Sequence, residues 1–156
     1  MKHYIDPETN DIYAYESDGS QDAHIKEGLV PISDEDLAAM IAPTTEQLLS
    51  QLTAARKEQE QQGVDINGIR YAGDPGNRQA LQEAIEFMND AGLTEFPTWK
   101  DSDDVFHADH PLADVKDAAR AIGARRSQLI AAEGEYAAQI IAGTLTDLTE
   151  TEVVWP

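Results

Sequence analysis

The sequence contains no cysteine, few aromatic residues and few basic ones. Without cysteine the chain forms no disulfide, does no thiol chemistry and builds no zinc site on thiolates. Aromatic residues make up 6% of the chain, and much of the 41% hydrophobic content is alanine, so we expect a helix-rich protein with a thin core. The sequence also lacks a long apolar run and a signal-peptide core, which predicts a cytosolic protein with no membrane partner.

Eleven basic residues oppose thirty acidic ones, and the formal net charge is -19. A field of this sign repels phosphate backbones, so we expect no nucleic-acid partner. The same field would steer the protein toward basic partners. The alternative is a solvated acidic surface with no specific partner.

The order of turn signals and apolar patterns predicts an α+β fold in four segments. We expect a small N-terminal β-hairpin unit over 1–43 and a connecting helix over 44–62. The main domain over 63–143 would hold two β-hairpins, a short helix and one long C-terminal helix, followed by a tail over 144–156.

Residues 1–43 show a hairpin, one further strand and a short helix. A turn after Asp6 joins the two hairpin strands, and alternation places Tyr13 and Tyr15 on one face. Pro31 limits the third strand to a sheet edge, and Ser33 caps a helix that ends before Pro43. These elements are too few to bury a core alone, so we expect the unit to dock on the later domain or on a partner.

The helix after Pro43 starts with a capping box at Thr44 and Gln47, and Gly63 ends it. Its first half carries a leucine stripe and its second half, RKEQEQQ, is polar all round. Such a helix is typical of a connector or of an arm that another chain completes, and a plain surface helix is the alternative. Asn67-Gly68 then predicts a type I′ hairpin turn.

A third helix starts at Asp74-Pro75, and a second hairpin follows with an acidic turn from Asp101 to Asp104. We expect Asp109 or His110 to cap the last helix, with Pro111 in its first turn. This helix would run to Gly143, on the order of 45 Å at 1.5 Å per residue.

Apolar residues recur every seven positions along the last helix. The first row holds Val115, Ile122, Leu129 and Tyr136. Arg126 and Glu133 interrupt the neighbouring row. Because the heptad is short and imperfect, packing within the chain is favoured over an intermolecular coiled coil.

No pattern of reactive residues in the sequence supports an enzyme. The acidic turn at Asp101 lacks the glycine and the glutamate of a calcium loop, since Phe106 and Leu112 stand in those places. His107, Asp109 and His110 lie close in sequence, but two imidazoles at this spacing would need further ligands to hold a metal. Phosphate-loop and nucleophile-elbow patterns are absent as well, so we expect no catalytic residue, no metal and no cofactor.

Five segments, in this order and spacing, carry a resemblance to a known group. They are the aromatic hairpin from Tyr4 to Tyr15, GLVPIS, GV-x-I-NG-I-x-Y, the helix start at Arg78 and the hairpin at Trp99-Lys100. The chain resembles bacteriophage tail fibre assembly proteins, or phage tail proteins that carry a domain of unknown function, DUF4376. One departure is Asp103-Asp104, where the resemblance leads us to expect glycine or asparagine.

The resemblance implies a non-enzymatic chaperone that binds a tail fibre or receptor-binding protein and aids its folding or trimerisation. It would act in the host cytoplasm during assembly. Three alternatives stay open: a permanent component of the virion tail or fibre tip, an acidic DNA mimic that inhibits a host protein, and self-association into a homo-oligomer. Interface centres favour aromatic residues with a polar edge, so we predict a partner-binding set. It comprises Tyr4, Tyr13, Tyr15, Val153, Val154 and Trp155, although the same side chains could pack inside the chain's own sheet.

Overall fold

The computed structural model describes residues 1–148 and 153–156, and it divides into two compact units, Met1–Pro43 and Thr44–Pro156. The first unit contains β1 (Lys2–Ile5), β2 (Ile12–Tyr15), a 3-10 turn (Asp22–His24), β3 (Val30–Ile32) and α1 (Asp34–Ile41). The second contains α2 (Thr45–Gln62), β4 (Val64–Ile66), β5 (Ile69–Tyr71), α3 (Pro75–Asp90), β6 (Glu95–Lys100), β7 (Phe106–Pro111) and α4 (Leu112–Ile141). The predicted α+β fold is confirmed. The middle of the predicted tail, residues 149–152, lies outside the described residues.

The first unit is a three-stranded antiparallel sheet in the order β2-β1-β3, with α1 following β3. Asp6 orders the hairpin turn because its carboxylate accepts the Glu8 N–H at 2.9 Å, and Asn10 takes the left-handed conformation at φ 61°. Pro31 lies in the edge strand β3, as predicted, where its missing N–H breaks no ladder. The Ser33 hydroxyl accepts the Asp36 N–H at 3.0 Å and so caps α1.

The second unit opens with α2 and the β4–β5 hairpin, and the predicted signals are confirmed. Thr44 and Gln47 form the capping box, and Gly63 ends α2 at φ 73°. Asn67 and Gly68 supply the two positive φ angles of the turn, 55° and 80°. After β5 the backbone passes close to the end of α2: a Cβ on Gly73 would lie 2.2 Å from the Glu60 carbonyl oxygen. Only glycine fits there without displacing backbone.

The turn between β6 and β7 forms with Asp103-Asp104 in the place where glycine or asparagine was expected. Asp104 takes the left-handed conformation at φ 64°, which is where glycine or asparagine was expected. The Asp101 carboxylate accepts the backbone N–H groups of Asp103 and Val105, both at 2.9 Å. The hairpin therefore closes with side-chain support in place of glycine.

The predicted cap of α4 is wrong. Strand β7 continues through Asp109 and His110 to Pro111, which is itself the N-cap residue, and no side chain caps the helix. Pairing explains the difference, because His110 stands opposite Phe96 and its side chain is buried. The first helical amide, on Leu112, donates to the Thr94 carbonyl at 2.9 Å, so strand backbone satisfies a donor that a capping side chain would otherwise serve.

The predicted intramolecular packing of α4 is confirmed. Its 30 residues span about 45 Å, and the seven-residue row of Val115, Ile122 and Leu129 is buried. Two apolar clusters lie along it. One joins the start of α2 to the end of α4 through Leu48, Leu52, Ile140, Leu145 and Val153. The other joins the hairpins and α3 to the first half of α4 through Tyr71, Leu81, Val115, Ala118 and Ile122.

An ionic layer also joins α2 to α4, at the positions that interrupt the apolar row. Arg56 Nε lies 2.6 Å from a Glu133 carboxylate oxygen, and the Thr53 hydroxyl donates to the other at 2.7 Å. Arg56 also pairs with the buried Glu60, which lies 3.4 Å from Arg126 Nε. Of the roles that the sequence left open for α2, the structure shows a helix whose polar half pairs with charges on α4 of the same chain.

Candidate functional site

The three tyrosines predicted to bind a partner lie on one face of the N-terminal sheet. Tyr4 stands opposite Tyr13 on β2, and Lys2 stands opposite Tyr15. Directly paired residues share a face, and strand alternation adds the third tyrosine to it. The rings of Tyr4 and Tyr15 meet edge to face with centroids 5.6 Å apart. We call this the tyrosine face.

The segment between β2 and β3 covers part of the tyrosine face. Lys26 Nζ lies 4.4 Å above the Tyr13 ring and donates to its hydroxyl at 3.1 Å, a hydrogen bond that raises the pKa of Lys26. Lys2 Nζ donates to Asp22 at 2.7 Å, which raises the pKa of Lys2. All three tyrosines remain half-buried. The three rings therefore pack within their own unit and stay partly exposed, whereas their role in binding a partner stays a prediction.

The opposite face of the sheet is aliphatic, and the prediction of contact residues missed it. Ile5 stands between Ile12 and Val30, and the next row places His3 between Ala14 and Ile32. Ile12 is 40% exposed and Val30 is 49% exposed. We call this the aliphatic face. The alternation that grouped the tyrosines could have found it, because residues on the same strands must point the other way.

The first unit has no buried core. All 43 of its residues are described, and none of their side chains is buried. On α1, Met40 and Ile41 are 46% and 65% exposed. By contrast, the described part of the second unit holds every buried hydrophobic side chain found. The first unit thus presents apolar surface that its own residues do not cover.

The predicted C-terminal contact residues take three different environments. Val153 is buried in the apolar cluster at the end of α4, and Trp155 packs edge to face on Tyr136 with centroids 6.0 Å apart. Val154 is 68% exposed, while its N–H donates to the Tyr136 hydroxyl at 2.9 Å. Residues 153–156 lie against α4 and form no strand.

The histidines considered for a metal form hydrogen bonds instead. His107 Nε2 lies 2.8 Å from Asp101 Oδ2, and this bond lowers the pKa of Asp101. The Tyr71 hydroxyl and His110 Nε2 share a hydrogen bond of 2.6 Å. Among the described residues, no group of three His, Asp or Glu side chains converges as a metal site would require.

Burial sets the protonation state of the Tyr71–His110 pair. It raises the pKa of Tyr71 to about 12, and the carboxylates of Asp114 and Asp101 add to this shift. Burial also lowers the pKa of His110. A neutral phenol is therefore hydrogen-bonded to a neutral imidazole, and Trp99 stacks on that imidazole with centroids 5.5 Å apart. With both groups neutral, this hydrogen bond suits a structural role inside the apolar cluster that joins the hairpins and α3 to α4.

A family model described as a domain of unknown function, DUF4376, matches residues 43–154. The chain belongs to this family. The resemblance to DUF4376 proteins predicted from the sequence is confirmed, whereas the link to tail fibres stays a prediction. No curated protein and no solved structure matched the chain.

The DUF4376 match starts at the last residue of the first unit and covers nearly all of the second. The tyrosine and aliphatic faces therefore lie outside the DUF4376 region, and the two apolar clusters lie within it. No helix in the described ranges has the length and apolarity needed to cross a bilayer.

Proposed function

We propose that this chain is a non-enzymatic assembly protein that binds a phage tail fibre or receptor-binding protein through its N-terminal sheet. It would act in the host cytoplasm while the fibre folds and trimerises. The sequence resemblance supplies the class of partner. One structural observation supports the binding role, namely a three-stranded sheet whose aliphatic face is exposed and whose unit buries no side chain.

Exposed aliphatic surface on a small unit favours a protein partner for a physical reason. Burial of apolar area stabilises by roughly 25 cal/mol per Å², and small units bury too little to be stable alone. A sheet of three short strands needs a covered face. A partner that covers Ile12 and Val30 would supply the burial that the unit lacks.

The charge of the unit defines the surface that the partner should present. Residues 1–43 carry ten acidic and two basic residues. Complementary charge speeds association and orients the encounter, while an apolar centre supplies the affinity. We therefore expect an aliphatic patch rimmed by lysine or arginine on the fibre protein.

Co-expression with a tail fibre or receptor-binding protein from the same genome tests the proposal. The wild-type chain should co-purify with the fibre and raise the yield of trimer measured by native gel and light scattering. The double variant Ile12→Ser, Val30→Ser should weaken fibre binding at least about tenfold, since both side chains would sit at the interface centre. Ile141→Ser is the matched control, because Ile141 is 70% exposed in the second unit.

Two outcomes would overturn the proposal: a wild-type chain that captures no fibre, or a double variant that binds as tightly as the control. Circular dichroism of each variant checks that its sheet is retained. A Tyr13→Ser, Tyr15→Ser variant in the same assay shows which face binds the fibre: it should bind as the wild type does if the aliphatic face is the binding surface. Mass spectrometry of purified particles distinguishes a transient chaperone, absent from the virion, from a permanent tail component in fixed copy number.

A further inference from the structure

Four of the eleven basic residues in this acidic chain line one cleft in the second unit. The cleft has a volume of about 210 Å³ and lies where the end of α2, the start of α3 and the middle of α4 meet. Its charged lining consists of Arg56, Lys57, Glu60, Asp74, Arg78 and Arg126. With a net charge of -19 overall, such a concentration of cations calls for a local explanation.

The carboxylates around the cleft do not neutralise these cations. Glu60 is 8% exposed and is shared among three guanidinium groups. One of its oxygens faces Arg56 and Arg126, and the other lies 3.2 Å from Arg78 Nη1. Asp74 is engaged elsewhere, because its carboxylate accepts the first amides of α3. Glu133 pairs with Arg56 from outside the cleft. Even with it counted, four cations face three carboxylates, so positive charge is in excess.

Several donors in the cleft have no acceptor among the described residues. Lys57 is exposed, and its ammonium group makes no hydrogen bond or ion pair within residues 1–148 and 153–156. Arg126 uses only Nε, at 3.4 Å from Glu60, which leaves both of its Nη atoms available. Arg78 uses only Nη1, toward Glu60 and the Gly73 carbonyl. These donors come from α2, α3 and α4.

We propose that this cleft binds a small oxyanion, either a phosphoryl or a carboxylate group. Two guanidinium forks and an ammonium group offer the charge-assisted hydrogen bonds that such groups accept. A volume of about 210 Å³ is below the roughly 300–1,000 Å³ of sites for drug-sized ligands, so the occupant is a small ion or one group of a larger ligand. The acidic remainder of the chain acts weakly here, since charges beyond about 8 Å are screened at physiological salt.

Titration of the full chain with sodium phosphate, and separately with sodium acetate, tests the proposal. Amide shifts in a ¹⁵N–¹H spectrum would be followed at ionic strength held constant with sodium chloride. We expect saturable shifts around the cleft, with a dissociation constant on the order of 1 mM for the better anion. The same anion should raise the melting temperature of the wild-type protein by mass action.

Single variants at the exposed cations provide the decisive comparison. Lys57→Gln and Arg126→Gln should each weaken binding by about tenfold, because each removes a charge-assisted donor. Lys116→Gln and Arg120→Gln delete the same charges from another part of α4 and should bind as the wild type does. Both cleft side chains are solvent-accessible, so these variants should fold.

The two anions distinguish the sources of the oxyanion. Tighter binding of phosphate assigns a phosphoryl group, and equal or tighter binding of acetate assigns a carboxylate. Absence of saturable shifts with either anion would overturn the proposal and leave the cations as helix-joining ion pairs. Equal affinities in the cleft variants and their controls would overturn it as well.

Discussion

Replacing Tyr71 with phenylalanine should destabilise the second unit through a single lost hydrogen bond. The Tyr71 hydroxyl is hydrogen-bonded to His110 Nε2 at 2.6 Å, and both residues are 2% exposed. Phenylalanine keeps the ring that packs near Trp99, with centroids 6.1 Å apart in the wild type, and removes only the hydroxyl. In the variant, Nε2 of the buried His110 imidazole has lost its hydrogen-bond partner and has no access to bulk water.

The expected loss in free energy of unfolding is about 1–3 kcal/mol, the usual effect of leaving one buried polar group without its partner. Replacing His110 with phenylalanine in the same chain removes the orphaned nitrogen. Tyr71→Phe should then have a much smaller effect, and the double-mutant cycle should give a coupling of about 1 kcal/mol. A purely steric role for Tyr71 would give no coupling, because the phenyl ring fills the same space.

Urea unfolding followed by far-UV circular dichroism measures these free energies. Tyr15→Phe is the matched control, since the Tyr15 hydroxyl has no hydrogen-bond partner among the described residues, and its effect should stay within about 0.5 kcal/mol. Unfolding of Tyr71→Phe at the wild-type midpoint, or additive effects of the two substitutions in the cycle, would contradict a stabilising Tyr71–His110 hydrogen bond.

Two further predictions concern the same unit. Because burial lowers the pKa of His110, the unfolded state binds the proton more readily. The free energy of unfolding should therefore fall as pH drops below about 6.5, by at most about 1.4 kcal/mol per pH unit. This fall should appear in the difference between the wild type and His110→Phe, followed from about pH 8 to 5. Parallel curves for the two proteins would contradict it. Gly73→Ala should destabilise by about 1–3 kcal/mol or more, because its Cβ would meet backbone at 2.2 Å. Gly123 lies within α4, and a Cβ added there would have no atom within 4 Å, so Gly123→Ala should stabilise by about 0.5–1 kcal/mol. Urea midpoints of Gly73→Ala and Gly123→Ala that move in the same direction would contradict these two expectations.

The sequence predicted those features whose partners lie a few residues away. Thr44 finds the Gln47 amide three positions on, and Asn67-Gly68 needs only its own two φ angles. The alternation that placed Tyr13 and Tyr15 together is equally local. Such features depend on backbone geometry alone, so no knowledge of the tertiary fold was needed.

Features that depend on a distant partner could not be predicted. Whether His110 caps a helix or extends a strand depends on its pairing with Phe96 across the hairpin. With thirty acidic residues, nothing local marks Glu60 as the one to be buried among guanidinium groups. Glu133 looked like a defect in an apolar row and is instead a partner of Arg56. In each case the deciding contact is between residues far apart in sequence.

If the proposed assembly role holds, the uneven distribution of burial would suit transient binding better than permanent binding. The second unit has two apolar clusters and an ionic layer, whereas the first unit buries no side chain. Regions with few buried contacts open at low free energy, and a partner that covers them must also order them. That ordering consumes part of the interaction energy and lowers affinity for a given contact area. Lower affinity would help a chaperone to dissociate from the finished fibre. A permanent virion component would bind more tightly if its own chain already covered the sheet.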